Sequence, residues 1–181
     1  MVKIAIAKGR GFVRTYLPEL IYGANNGIVT TLAIVSGVTG ANLSSKVVLI
    51  LGFANLLADG FSMGASNVLS ERSRPERERQ TSLKDAYRHG AATTGGFVAA
   101  GLLPLLAYLL PWFEGVRFAA ACALAGGALF AIGAARALFT EQGWRVSGLE
   151  MLLLGGLAAV VAYIVGAIGA FLIGEQNALL P

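Results

Sequence analysis

Apolar residues run along this chain in five blocks, roughly 20–41, 46–69, 91–110, 116–139 and 148–173. Each is long enough to cross a bilayer core as a helix. Within the blocks the polar residues are ordered. In the first block Gly23, Asn26, Thr30, Ala33, Gly37 and Gly40 recur at three and four residues, so one helix face is small and polar. Asn25 and Thr31 add hydrogen-bonding groups that need partners in lipid. In the second block Asn55, Asp59, Ser62 and Ser66 step by four, three and four residues, with Met63 at the edge of their stripe and Asn67 just beyond. In the fifth, Gly155, Ala159, Ala162, Gly166 and Ala170 form a small-residue face of the kind that lets membrane helices approach closely. The one sizeable polar stretch between blocks is ERSRPERERQTSLKDAYRHG, 71–90. The pattern predicts an all-α membrane protein: five transmembrane helices in a single domain, 1–181, with a connector at 70–90.

Composition agrees. The chain has 181 residues, of which 56% are hydrophobic and only 13% charged, too apolar and too charge-poor for a soluble domain. Charge then sets an orientation. Of the lysines and arginines, all but Lys46 and Arg117 fall on the side that holds the N-terminus, the connector and the turn between spans four and five. The positive-inside rule predicts a cytosolic N-terminus and a C-terminus outside or in an organelle lumen. The net charge of +4 therefore points to lipid headgroups, not to nucleic acid. Cys122 reads as a packing residue and His89 as an interfacial structural one. No nucleophile–base pair, histidine cluster or glycine-rich phosphate loop appears, so an enzyme is not expected, nor a tightly bound cofactor.

Asp59 is the residue that needs explaining. A carboxylate at bilayer depth costs about 2.5–3.5 kcal/mol, and such residues usually face a bundle interior or a water-filled path. Spans one and two are antiparallel and joined by a short turn, so their polar faces meet. That juxtaposes the amides of Asn26 and Asn55, the Asp59 carboxylate, the hydroxyls of Thr30 and Ser62 and the thioether of Met63. One soft donor among oxygens suits a borderline cation such as Fe²⁺ better than Mg²⁺ or Ca²⁺. The alternative from pattern alone is an interhelical hydrogen-bond network with a protonated Asp59.

Three runs carry a family resemblance: IYGANNGIVTTLAIVSGVTGA, VVLILGFANLLADGFSMGASNVLS and WRVSGLEMLLLGGLAAVVAYIVG. Together they resemble the vacuolar iron transporter family over about 20–173. The resemblance implies five spans and a homodimer, with a path between protomers lined by the first span of each. It implies export of Fe²⁺ or Mn²⁺ from the cytosol in exchange for protons. It places Asn26, Asn55, Asp59 and Met63 at pathway positions. Asp59, the one acid well inside a span, is expected to serve as proton carrier, since burial favours its protonated form and a bound cation its ionised form. Gly23, Gly27, Gly37 and Gly40 are expected to pack span one, and to bring it against the same span of a second copy. The host membrane would be a plasma or inner membrane in a bacterium and a vacuolar-type one in a eukaryote. Two departures stand out. The family's Asp-Gly pair in span one is Asn26-Gly27 here. The glutamate-rich metal-binding region that many members carry between spans two and three is replaced by about twenty residues. A non-transporting accessory subunit of a larger membrane complex is the second reading.

Overall fold

The structure is a computed structural model that describes residues 2–73, 82–138 and 140–178, with side chains from 15 to 174 within those ranges. Residues 74–81, the middle of the expected connector, lie outside it. Five helices follow one another: α1 Val2–Gly40, α2 Ser45–Ser73, α3 Leu83–Leu109, α4 Arg117–Arg136 and α5 Trp144–Ala178, with a 3-10 turn at Pro111–Phe113 before α4. All five carry a segment long and apolar enough to cross a membrane. The chain is an integral, multi-pass membrane protein.

The helices outrun the apolar blocks. α3 begins at Leu83 and not at 91, and α5 at Trp144 and not at 148. At α3 the reason is a cap. The Ser82 hydroxyl accepts the Asp85 amide at 3.2 Å and donates to its carboxylate at 2.7 Å, satisfying groups that a helix start leaves open. The α1–α2 turn is closed by Asn42 in the left-handed region, φ 55°, which asparagine adopts more readily than most residues.

α1 is the hub. It touches all four other helices, α3 most extensively and then α5, whereas α2 rests mainly on α3. Val35, Val48, Leu56, Phe97, Leu105 and Ala121 form one buried cluster. Ile28, Leu32, Ala125 and Leu129 form another. Leu153, Leu157, Val161, Ile164 and Phe171 of α5 are exposed and turn toward lipid.

The small face of α1 packs within the chain, against α3 and α5. A Cβ on Gly23 would land on the Thr93 carbonyl and one on Gly27 on the Phe97 carbonyl, both in α3. Gly37 lies against Ala162, and a Cβ on Gly40 would strike the Tyr163 carbonyl, both in α5. Helices associate in lipid through such close approach, and within the chain the partners are α3 and α5. Gly27→Leu should therefore destabilise the fold by about 1–3 kcal/mol or more. Gly95→Leu, whose Cβ would have nothing within 4 Å, should not. Equal thermal midpoints for the two variants in detergent would show that the contact does not matter.

Candidate ion pathway

α2 carries two adjacent lines, each stepping by four residues. Val48, Gly52, Leu56, Gly60, Gly64 and Val68 are buried. These glycines seat α2 on α3, helped by the Thr94 hydroxyl, which donates to the Gly60 carbonyl at 2.7 Å. One residue earlier, about 100° around the helix, lie Asn55, Asp59, Met63 and Asn67, all half-buried. This second line runs along the seam between α2 and α1.

Across the seam α1 presents Asn26 and Thr30, one turn apart. The Asn26 amide donates to the Met63 sulfur at 3.0 Å. The Asn55 amide donates to the Thr30 hydroxyl at 3.4 Å, and that hydroxyl donates to the main-chain carbonyl of Asn26, one turn back, at 2.9 Å. Four residues named from the sequence thus form one contact network. Asp59 lies between Asn55 and Met63 on α2. It is the central residue of α2, about 21 Å from either end. Among the described residues its carboxylate makes no hydrogen bond or ion pair.

Ser62 departs from expectation. It is exposed, as is Ser66, because the inward edge of the stripe follows the Asn55–Asp59–Met63 side. Asn67 turns the other way and donates to the Thr93 hydroxyl of α3 at 2.7 Å.

A further pair was not read from the sequence. Glu19 Oε1 lies 2.7 Å from His89 Nδ1, with the Tyr16 ring 4.9 Å from the imidazole. The second carboxylate oxygen, Oε2, is buried with no partner among the described residues. Glu19 precedes Asn26 by seven residues, two turns on one helix face. That spacing was the available signal. His89, seventy positions away, was not.

The donor set is an amide pair, a thioether, a hydroxyl and one carboxylate. No group of three histidine, cysteine or acidic side chains that could hold a metal occurs among the described residues. Such a seam suits weak, transient coordination better than a resident ion.

A sequence profile of the VIT family matches residues 17–85 and 75–167. Vacuolar iron transporter homolog 1 of Oryza sativa subsp. japonica is 31% identical over 167 residues, covering 82% of this chain and 71% of that protein. Vacuolar iron transporter homolog 2 of the same plant is 28% identical over 169 residues, 83% and 88% of the two chains. The vacuolar iron transporter of Toxoplasma gondii (strain ATCC 50861 / VEG) is 44% identical over a shorter stretch of 68 residues, 36% of this chain and 22% of that one. With most of its length matched by the profile and by the rice relatives, the chain belongs to the VIT family.

Proposed function

We propose that this protein exports a divalent metal ion, Fe²⁺ or Mn²⁺, from the cytosol in exchange for protons, along the α1–α2 seam. The observation that carries the reading is the Asp59 carboxylate, placed midway along a membrane helix beside a thioether and two amides, with no partner among the described residues. Membership of a family whose relatives bear the name iron transporter supports the cargo class. The orientation follows from the basic residues: N-terminus in the cytosol, C-terminus on the far side. In this reading the metal meets oxygen donors and the Met63 sulfur in turn. Asp59 gives up its proton as the cation arrives and regains one after the cation leaves. Reconstituted protein should accumulate Mn²⁺ or Fe²⁺ in vesicles with an inward-acid gradient. Absence of gradient-driven uptake would leave the accessory-subunit reading in its place.

The seam also argues for two copies. Asn55 and Asp59 are half-exposed, and their outward neighbours Ala54, Ala58 and Ser62 are exposed. Left against lipid, the carboxylate would cost a few kcal/mol. A second copy laid across α2 removes that cost, and the small residues permit close approach. The dimer contact moves from the glycines of α1 to this face of α2. Ala58→Cys in a Cys122→Ser background should form a covalent dimer on mild oxidation. Leu157→Cys, on the outer face of α5, should stay monomeric on a denaturing gel. The reverse pattern would place the interface on α5.

A further inference from the structure

At the end of the bundle remote from the connector, the α1–α2 turn meets the start of α4 around a pocket of about 310 Å³. That is within the range of small-molecule sites, about 300–1,000 Å³. Its lining is largely polar: Thr39, Asn42, Ser45, Tyr108 and Arg117 contribute. Arg117 is one of the two basic residues that depart from the charge asymmetry of the chain, and its guanidinium is incompletely used. Nη1 donates to the Ser45 hydroxyl at 3.3 Å. Nη2 is 3.9 Å from Glu114 Oε1, on a side chain 80% exposed. Nε is buried with no partner among the described residues. A buried, unpaired N–H of a charged group is costly, so the site is left short of an acceptor.

Other donors surround that deficit. α4 starts at Arg117, and no side chain caps it, so its first-turn amides have no intrahelical acceptor. Phe118, second in that turn, lines the same pocket. The Tyr108 hydroxyl lies 3.4 Å from that of Thr39, and Tyr108 is otherwise buried. Arg117, Ser45 and the start of α4 line one polar cavity. Together they offer more N–H and O–H donors than a single carboxylate takes up. They match an anion with several oxygens around one centre, which can accept from the guanidinium and from the Ser45 hydroxyl together.

We propose that this pocket binds a phosphate-class oxyanion, either the phosphate of a membrane lipid or free phosphate, held principally by Arg117. The exposed Glu114 carboxylate swings away when the anion enters. The bound group ties the α1–α2 turn to α4 at the mouth of the bundle opposite the basic connector. The site does not depend on the transport reading, and its failure would leave that reading untouched.

The test uses the full chain, delipidated in a neutral detergent. Inorganic phosphate is titrated at constant ionic strength against chloride while the thermal midpoint is followed. Phosphatidylglycerol is added separately and bound lipid is read by native mass spectrometry, with diacylglycerol as the phosphate-free control. The parent should show saturable binding of at least one phosphate probe. Arg117→Gln should weaken it by about tenfold or more, and Lys46→Gln should leave it unchanged. Response to the lipid alone identifies a headgroup site. Response to inorganic phosphate identifies a site for the free anion or for the phosphate group in general. Binding of neither probe by the parent overturns the proposal, as does equal binding by Arg117→Gln. Should that variant misfold, Arg117→Lys is read instead, because it keeps the charge and loses the fork. Unchanged affinity there overturns the proposal equally.

Discussion

Asp59→Asn is expected to reduce proton-driven uptake of Mn²⁺ or Fe²⁺ to the background of empty vesicles while the protein stays folded. The fold should survive because amide and carboxylate are nearly isosteric, and no ion pair or hydrogen bond among the described residues is lost. Transport should not survive, because the other acids of the described spans are engaged. Glu19 faces His89 at 2.7 Å, Asp85 holds Ser82 and Arg88, Glu150 is 3.6 Å from Arg136, and Glu71 has a partner as well. Asp59 is the carboxylate left available to trade a proton for a cation at mid-depth. Thermal midpoint and gradient-driven flux should be measured on the same preparation. Normal flux against a proton gradient would remove Asp59 from the carrier role.

Asn26→Asp is expected to act in the opposite direction, tightening metal binding by about tenfold or more. Two changes combine. A second carboxylate enters the seam one helix away from Asp59. The Asn26 amide, which now donates to Met63 Sδ at 3.0 Å, also disappears, and an ionised aspartate has no N–H to replace it. The sulfur lone pair is then free for a soft or borderline cation. Met63→Leu in the Asn26→Asp background separates the two contributions, since the charge persists and the thioether does not. Calorimetric titration with Mn²⁺ and Fe²⁺ on parent, single and double variants measures both. An affinity unmoved by Asn26→Asp would show that the cation does not pass this point of the seam.

The five helices were legible because twenty apolar residues in a row have few other uses. Their ends were less legible. A helix in a bilayer stops where a cap or turn stops it, as Ser82 shows, not where hydrophobicity falls. The pairing of Asn26 and Thr30 with the α2 stripe was legible too, since the short turn after Gly40 forces the helices to be antiparallel neighbours. Which edge of that stripe faces inward was not. At 100° per residue Ser62 and Met63 are equally good continuations of Asn55 and Asp59. The choice was made by the glycines at 60 and 64, which seat α2 on α3 and rotate Met63 into the seam. The partners of Gly23 and Gly27 within the chain were not legible for a related reason. A stripe of small residues states that something comes close, but not what. Glu19–His89 and the Arg117 pocket join residues roughly seventy positions apart, beyond any local periodicity.

The carbonyl-to-glycine contacts of α1 also limit how the molecule can move. Helices that slide past one another do so across a layer of interdigitated side chains, whose rotamers absorb small displacements. At Gly23, Gly27 and Gly40 there is no such layer, since the backbone of α1 lies directly on that of α3 or α5. α2 is seated on α3 in the same manner at Gly64 and Gly90. Such backbone-on-backbone seams leave little room for sliding, so α1, α2, α3 and α5 are expected to move together. If two copies pair across α2 as proposed, a change in the side to which the pathway opens would then fall at the contact between the copies, and not inside either one.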